Sequence, residues 1–250
     1  MTSPIDPAAP FAFDGRSPFT YTGFAARVIF GEGSLTRLPE EIERLGARRA
    51  LVLCTPEQRA AAEQVAARLG ERAAGIHDRA VMHVPIETAI AARDEAARVG
   101  ADCCVAVGGG STVGLGKAIA LTSGLPIVAV PSTFAGSEMT AIWGLTEGGV
   151  KKTGRDPKVL PRTVVYDPAM LDTLPAKIAG PSGMNAVAHC VEALYAVDAN
   201  PIVSMIAEEG IRALAASLPA VVDPAVKGEP RHTALALAQY GAWLAGTALN

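Results

Sequence analysis

Residues 103–117 read CCVAVGGGSTVGLGK, and this stretch decides the fold. The apolar run from Cys103 to Val107 contains no turn former and is typical of a strand that is buried on both faces. The three glycines that follow lack a Cβ atom, so their backbone N–H groups can approach a ligand closely. Ser111 then begins a predicted helix that ends at Thr122, and the partial positive charge of a helix N-terminus favours an anion. The stretch predicts a cradle for a diphosphate, although a plain strand-to-helix turn has the same local pattern.

A second polar loop follows the next apolar run. Residues 125–130 (LPIVAV) predict a strand, and residues 131–138 (PSTFAGSE) place hydroxyl groups and a glycine at its carboxyl end. Ligands of open α/β sheets bind beyond the carboxyl ends of the strands, so two such loops favour a cofactor site. Neither a P-loop nor a GxGxxG dinucleotide fingerprint is present at the required places. The residues expected to contact the cofactor are Gly108, Gly109, Gly110, Ser111, Thr112, Ser132, Thr133, Ser137 and Thr140.

The order of strand and helix signals predicts an α/β protein with two domains. An N-terminal, doubly wound and mainly parallel sheet domain is expected over residues 1–171, followed by an all-helical domain over residues 172–250. Besides the two strands above, strands are predicted at 27–30, 50–54, 81–84 and 163–166, with helices at 34–45, 56–69 and 87–99. The C-terminal helices are predicted at 184–195, 201–217 and 231–249.

Composition excludes several classes of protein. The chain has 250 residues, of which 19% are charged, and a formal net charge of −3, so neither a disordered chain nor a nucleic-acid-binding surface is expected. Residues 1–14 lack the features of a signal peptide, and no apolar run is long enough for a transmembrane helix. The four cysteines form neither a zinc pattern nor a disulfide framework. A cytoplasmic protein is the simplest expectation.

A further candidate site lies on the first C-terminal helix. Asn185 and His189 are four residues apart and therefore lie on one helical face, a spacing that suits two ligands of one metal ion. Asn185 is a neutral and poorer ligand than a carboxylate. Taken alone, His189 on a fairly apolar helix is better explained as a hydrogen-bonded histidine of the core than as a ligand.

Four motifs occur in an order that resembles the iron-containing alcohol dehydrogenase superfamily. They are the GGGS turn with Lys117, the loop 131–138, the corner at Asp167 and Pro168, and the helix GMNxxxHxxE over residues 183–192. The resemblance covers residues 21–250. Within the superfamily the chain is most similar to the maleylacetate reductases, on the segments YTGF (21–24), MHVP (82–85), GLGK (114–117), FAGSEMT (134–140) and YGAWLAG (240–246), and on Asn185.

The resemblance implies a hydride transfer. The implied reaction moves hydride from NADH to the conjugated C=C bond of maleylacetate, a small dicarboxylate, and yields 3-oxoadipate in the degradation of aromatic compounds. NADPH also remains compatible, because residues 54–56 (CTP), at the end of the predicted strand at 50–54, include no carboxylate to repel a 2′-phosphate. His189 and Lys152 are the expected catalytic residues, Lys152 within a loop with Lys151 and Arg155 near the cleft. That loop could equally be a solvated surface. A homodimer is expected, with no nucleic-acid or membrane partner.

Two departures from the superfamily lead to further expectations. Metal-dependent members carry an aspartate at the position of Asn185, and two more histidines after the point at which this chain stops. The helical domain is therefore expected to be incomplete, no residue is assigned to a metal, and no metal is expected. Two alternatives stay open: a metal-dependent alcohol or polyol dehydrogenase of the same superfamily, and a noncatalytic nucleotide-binding fragment.

Overall fold

The computed structural model describes residues 19–23 and 26–250. The prediction for residues 1–14 lies outside the described residues. The strands are β1 Arg27–Phe30, β2 Ala50–Leu53, β3 Ala73–His77, β4 Cys103–Gly108, β5 Ile127–Pro131, β6 Ile142–Glu147, β7 Val150–Arg155 and β8 Thr163–Tyr166. Six of them form one parallel sheet in the order β1-β8-β5-β4-β2-β3, whereas β6 and β7 form an antiparallel hairpin.

Helices cover both faces of the sheet. They are α1 Leu38–Arg44, α2 Arg59–Leu69, α3 Ile86–Arg98 and α4 Gly110–Ser123, and short 3-10 segments precede α1 and α2. Side chains alternate along β4: Cys103 packs towards α1 and α2, and Cys104 packs towards α3 and α4. The apolar run that predicted a strand covered on both faces is therefore confirmed, because each face has its own layer of helices.

Three long helices follow the sheet: α5 Ala176–Tyr195, α6 Pro201–Val222 and α7 Glu229–Leu249. They pack closely because glycines stand at their contacts. A Cβ atom at Gly210 would lie 2.8 Å from Sγ of Cys190, and one at Gly241 would lie 2.7 Å from Cγ of Leu214. The predicted fold class, a parallel α/β region followed by helices, is confirmed, while the boundary at residues 171 and 172 stays a prediction. No helix of the described chain has the length and apolar character needed to cross a bilayer.

The predicted strand at 81–84 is wrong. The third strand is β3 at Ala73–His77, and residues 81–84 form a turn in which His83 and Val84 have positive φ angles of 64° and 44°. The segment AAGIH of β3 is poor in β-branched residues, whereas VMHV is apolar, so local propensity favoured the wrong segment. Tertiary pairing with β2 determines the strand instead.

Two other elements differ from the prediction. The hairpin β6–β7 replaces the predicted loop around Lys152, because the antiparallel pairing from Ile142 to Arg155 cannot be read from either strand alone. Helix α5 contains Pro181, and helix α6 contains Pro219. Each helix extends beyond the boundary that was predicted next to its proline. Burial of the helix faces outweighs the cost of a proline at these places.

Candidate cofactor and active site

The glycine turn joins β4 to α4 in a space too narrow for side chains. Gly108 has φ 151°, and a Cβ atom there would collide with Oε1 of Gln58 and would lie 2.5 Å from Oγ1 of Thr112. A Cβ atom at Gly109 would lie 2.8 Å from Cγ2 of Thr133. The next glycine, Gly110, is the first residue of α4. The turn therefore exposes the first backbone N–H groups of a helix, which are free to bind an anion.

The loop after β5 lies directly beside this turn. The N–H of Ser132 donates to the carbonyl of Gly108 (3.1 Å), and Nε2 of Gln58 donates to Oγ of Ser132 (2.6 Å). Thr133 lies against Gly109. The structure thus brings together the two loops that the sequence predicted to meet at the carboxyl edge of adjacent strands.

Lys117 fastens helix α4 to the same loop. Its side chain is 1% exposed, and Nζ donates to the carbonyl of Ser137 (2.6 Å), to Oγ1 of Thr140 (3.0 Å) and to the carbonyl of Ile142 (2.7 Å). Burial lowers the pKa of Lys117 to about 7, and the nearby carboxyl group of Glu138 opposes that shift. Three acceptors around one amine use all three N–H bonds of the ammonium form.

Glu138 and Tyr166 form a second buried pair behind the loop. The phenol of Tyr166 donates to Oε1 of Glu138 (2.8 Å), and both side chains are buried. Burial raises the pKa of the Glu138 carboxyl group and also that of the Tyr166 phenol. The loop that carries Ser137 and Thr140 is therefore fixed by two sets of buried hydrogen bonds, one made by Lys117 and one between Tyr166 and Glu138.

A cavity of about 440 Å³ opens in front of these elements. Four residues predicted to contact the cofactor line it, and so does His189; the four are Gly110, Ser111, Ser137 and Thr140. The other predicted residues lie at the adjoining turn and loop rather than on the cavity wall: Gly108, Gly109, Thr112, Ser132 and Thr133. Most of the predicted residues therefore converge on one place, although they range from Gly108 to His189 in the sequence.

All ionisable residues on the cavity wall are basic. They are His83, Lys117, Lys151 and His189, and no described residue that lines the cavity is acidic. The chain as a whole carries a formal net charge of −3. The charge of the cavity wall is therefore opposite in sign to the net charge of the chain, which favours an anionic ligand.

The structure does not bring Lys152 to this cavity. Side chains alternate along β7, so Lys151 and Thr153 line the cavity, while Nζ of Lys152 lies 2.5 Å from Oε2 of Glu147. The expected loop around Lys152 is in fact the strand β7 of the hairpin. Because successive side chains of a strand point to opposite faces, Lys151 rather than Lys152 faces the cavity. The side chain of Lys151 has no ion-pair or hydrogen-bond partner among the described residues, which leaves its ammonium group available to a ligand.

His189 projects from α5 into the cavity, and Nδ1 is buried with no hydrogen-bond partner in the described structure. The nearest carboxylate is that of Glu192, 3.8 Å from Nδ1 and beyond hydrogen-bond distance. The alternative of a hydrogen-bonded core histidine does not fit this geometry. Asn185 lies one turn earlier on α5 and is exposed.

Sequence reasoning missed three contributors to the site. Gln58 supports Ser132, Lys117 fixes the loop, and His83 lines the cavity. Lys117 was visible as part of the GLGK motif, where a charged residue on an otherwise apolar helix signals a buried partner. Nothing in the local sequence marks Gln58, because its role depends on a contact with Ser132, 74 residues away.

Comparison with known proteins finds close relatives. The chain is 56% identical over 241 residues to the maleylacetate reductase of Burkholderia cepacia, a match that covers 96% of this chain and 65% of the relative. Among solved structures, the maleylacetate reductase of Agrobacterium tumefaciens matches with 50% identity and a TM-score of 0.88, and that of Rhizobium sp. strain MTP-10005 with 52% and 0.87. Both matches cover 93% of this chain and 65% of the other. The chain thus spans less than two thirds of the length of these relatives.

The expectation that no metal is needed is wrong, because the families that match this chain are iron-containing. Residues 25–168 match the iron-containing alcohol dehydrogenase model, and residues 180–250 match the C-terminal model of the Fe-containing family. The expectation relied on Asn185 and on two histidines expected beyond residue 250, but an amide oxygen can also ligate a cation.

The residues present fit only part of a metal centre. His189, with its unpartnered buried Nδ1, is a suitable ligand, yet no group of three or more His, Cys, Asp or Glu side chains could hold an ion within the described residues. We therefore assign no chemical step to a metal. The match over both segments, and the fold, identify the chain as a member of the iron-containing alcohol dehydrogenase family.

Proposed function

We propose that this chain supplies the cofactor-binding region and part of the active site of a maleylacetate reductase. The wholly basic cavity next to the glycine turn carries the proposal, because the reaction needs a dinucleotide and a dicarboxylate in one place. Relatives named maleylacetate reductase, at 52–57% identity, support it. NADH is the proposed coenzyme, and NADPH is compatible with the absence of a carboxylate at residues 54–56, directly after β2.

The proposed reaction is a conjugate reduction. Hydride leaves NADH and forms a C–H bond at the carbon β to the ketone of maleylacetate, while the C=C electron pair moves to give the enolate. A proton then adds to the carbon next to the ketone, which gives 3-oxoadipate and NAD⁺. The protein has to orient the nicotinamide, stabilise the enolate oxygen and supply the proton.

The residues of the site divide these tasks. Gly110 and Ser111 begin α4 and line the cavity, and the N–H groups of a helix N-terminus suit the diphosphate of the coenzyme. Lys117 holds Ser137 and Thr140 in place beside it. His189 lines the same cavity and is the proposed partner of the enolate oxygen, and Lys151 replaces Lys152 as the lysine that faces a carboxylate.

The remaining predictions complete the proposal. We place the enzyme in the degradation of aromatic compounds, in the cytoplasm and as a homodimer. All four described cysteines are free and buried, which agrees with a reducing compartment.

An assay of NADH oxidation tests the function. Absorbance of NADH should fall when maleylacetate is added to the protein, with one NADH consumed for each 3-oxoadipate formed. Simple aldehydes and ketones without carboxylates should be reduced far more slowly. Faster turnover of a simple alcohol or aldehyde would instead support an alcohol dehydrogenase.

A further inference from the structure

The turn at residues 81–84 is held in a strained conformation and contributes Met82, His83 and Val84 to the cavity wall. His83 and Val84 are the only residues other than glycine with positive φ in the described chain, at 64° and 44°. A β-branched residue rarely adopts this conformation. Such strain persists only where surrounding structure imposes it, and it is concentrated at functional sites.

Two neighbouring elements impose the conformation. Thr146 of β6 donates through Oγ1 to the carbonyl of His83 (2.8 Å) and through its N–H to the carbonyl of Val84 (3.1 Å). The side chain of Val84 is 5% exposed and fills the space that Gly114 of α4 leaves, where a Cβ atom would lie 2.9 Å from it. The backbone of His83 is therefore fixed from the hairpin and from α4.

The imidazole of His83 is available to a ligand. His83 is exposed and lines the cavity, and its imidazole makes no hydrogen bond or ion pair with any described residue. The other basic groups on the cavity wall are placed differently: the amine of Lys117 is occupied by three acceptors, and His189 lies on α5. A ligand with two anionic ends would meet separate basic groups in this cavity.

We propose that His83 binds one carboxylate of the substrate and so contributes to the selection of a dicarboxylate over a neutral ketone. This inference rests on the proposed function. The strained turn holds the backbone of His83 in a fixed position, and the imidazole is thereby placed for the carboxylate. The turn then acts together with Lys151 and His189, which reach the cavity from β7 and α5.

The matched variants are His83→Asn and His232→Asn. Asparagine tolerates the left-handed conformation, so His83→Asn removes the imidazole without changing the turn. His232 is an exposed histidine that lies outside the cavity and controls for the substitution itself. Loss of one charge-assisted hydrogen bond raises KM for maleylacetate by about tenfold in His83→Asn. The KM for NADH and kcat should stay within about twofold, and His83→Arg should recover most of the lost affinity.

Two measurements separate this inference from the proposed function. Turnover of maleylacetate by the unchanged protein tests the function, and binding of 3-oxoadipate, measured calorimetrically, tests His83 without turnover. Weaker 3-oxoadipate binding in His83→Asn supports the inference even if maleylacetate is not reduced. Normal turnover with an unchanged KM in His83→Asn overturns the inference and leaves the function intact. Absence of 3-oxoadipate binding to the unchanged protein also overturns it.

Discussion

Two walls of the cavity differ in the contacts that fix their backbone. The inner wall, residues 108–117 and 131–140, is largely buried, and its backbone is fixed by Lys117 and by close glycine contacts. The outer wall, residues 81–84 and 142–155, is more exposed and depends on contacts between the turn and the hairpin. The inner wall carries the groups suited to a coenzyme, and the outer wall carries His83 and Lys151. In the proposed function, coenzyme binding would therefore depend on the sheet and its loops, whereas the substrate-facing groups would depend on long-range contacts.

The largest expected effect comes from Lys117→Met, which removes the connection between α4 and the loop of the inner wall. The carbonyls of Ser137 and Ile142 lose their charged donor while they stay buried, so we expect unfolding free energy to fall by about 3 kcal/mol. NADH affinity should fall as well, because Ser137 and Thr140 are no longer held in position.

Chemical denaturation and fluorescence titration with NADH measure the two effects. Lys158→Met is the matched control, since Lys158 is exposed and lies outside the cavity. A stability of Lys117→Met equal to that of the control would show that the three hydrogen bonds do not hold the inner wall.

The sequence predicted the inner wall well because its signals are local. The apolar run before Gly108, the three glycines and the hydroxyl-rich loop after β5 each mark the end of a strand. Parallel strands place those ends at the same edge of the sheet, so their meeting follows from fold class alone.

The outer wall was predicted poorly for the opposite reason. The true strand β3 has weak β propensity, while the apolar segment at 81–84 is held as a turn by Thr146, 63 residues after His83. The choice of Lys151 over Lys152 depends on the register of β6 against β7, and neither strand reveals that pairing by itself. The expectation about the metal failed because Asn185 and two histidines missing from this sequence were given more weight than the family match permits.

The second prediction compares two adjacent glycines of the inner wall. In Gly109→Val the new Cβ atom would lie within 2.9 Å of two side-chain atoms of Thr133. The φ of Gly109 is −90°, so space rather than torsion excludes a side chain there. We expect NADH affinity to fall by about 2 kcal/mol, since the turn must shift away from the diphosphate.

Gly110→Ala is the control for this variant. Its Cβ atom would meet only Cβ of Ala135, at an ordinary contact distance of 3.6 Å. Fluorescence titration should therefore give a Kd within about twofold of that of the unchanged protein. Equal losses in both variants would contradict the view that the turn is narrow at Gly109 and open at Gly110.

The third prediction concerns pH. Burial lowers the pKa of Lys117 to about 7, while an unfolded lysine keeps its proton up to about pH 10.4. The unfolded state therefore binds more protons than the native state above pH 7, and this group makes the protein more stable as pH rises. Between pH 7 and pH 8 the contribution is at most about 1 kcal/mol. Chemical denaturation at both pH values should show that the free energy of unfolding rises less from pH 7 to pH 8 in Lys117→Met than in Lys158→Met. An identical rise in the two variants would contradict the lowered pKa of Lys117.

The smallest expected effect separates two lysines of the outer wall. Lys151 lines the cavity without a partner among the described residues, whereas Lys152 lies outside it and pairs with the exposed Glu147. Lys151→Ala should raise KM for maleylacetate about threefold, because an exposed cation contributes up to about 1 kcal/mol to binding an anion. Lys152→Ala loses only a surface ion pair and should change KM less. Steady-state kinetics of the two variants, each measured in parallel with the unchanged protein, show which substitution raises KM for maleylacetate more. A larger rise in Lys152→Ala would mean that β7 presents its other face to the substrate, and that the register of the hairpin differs when the coenzyme is bound.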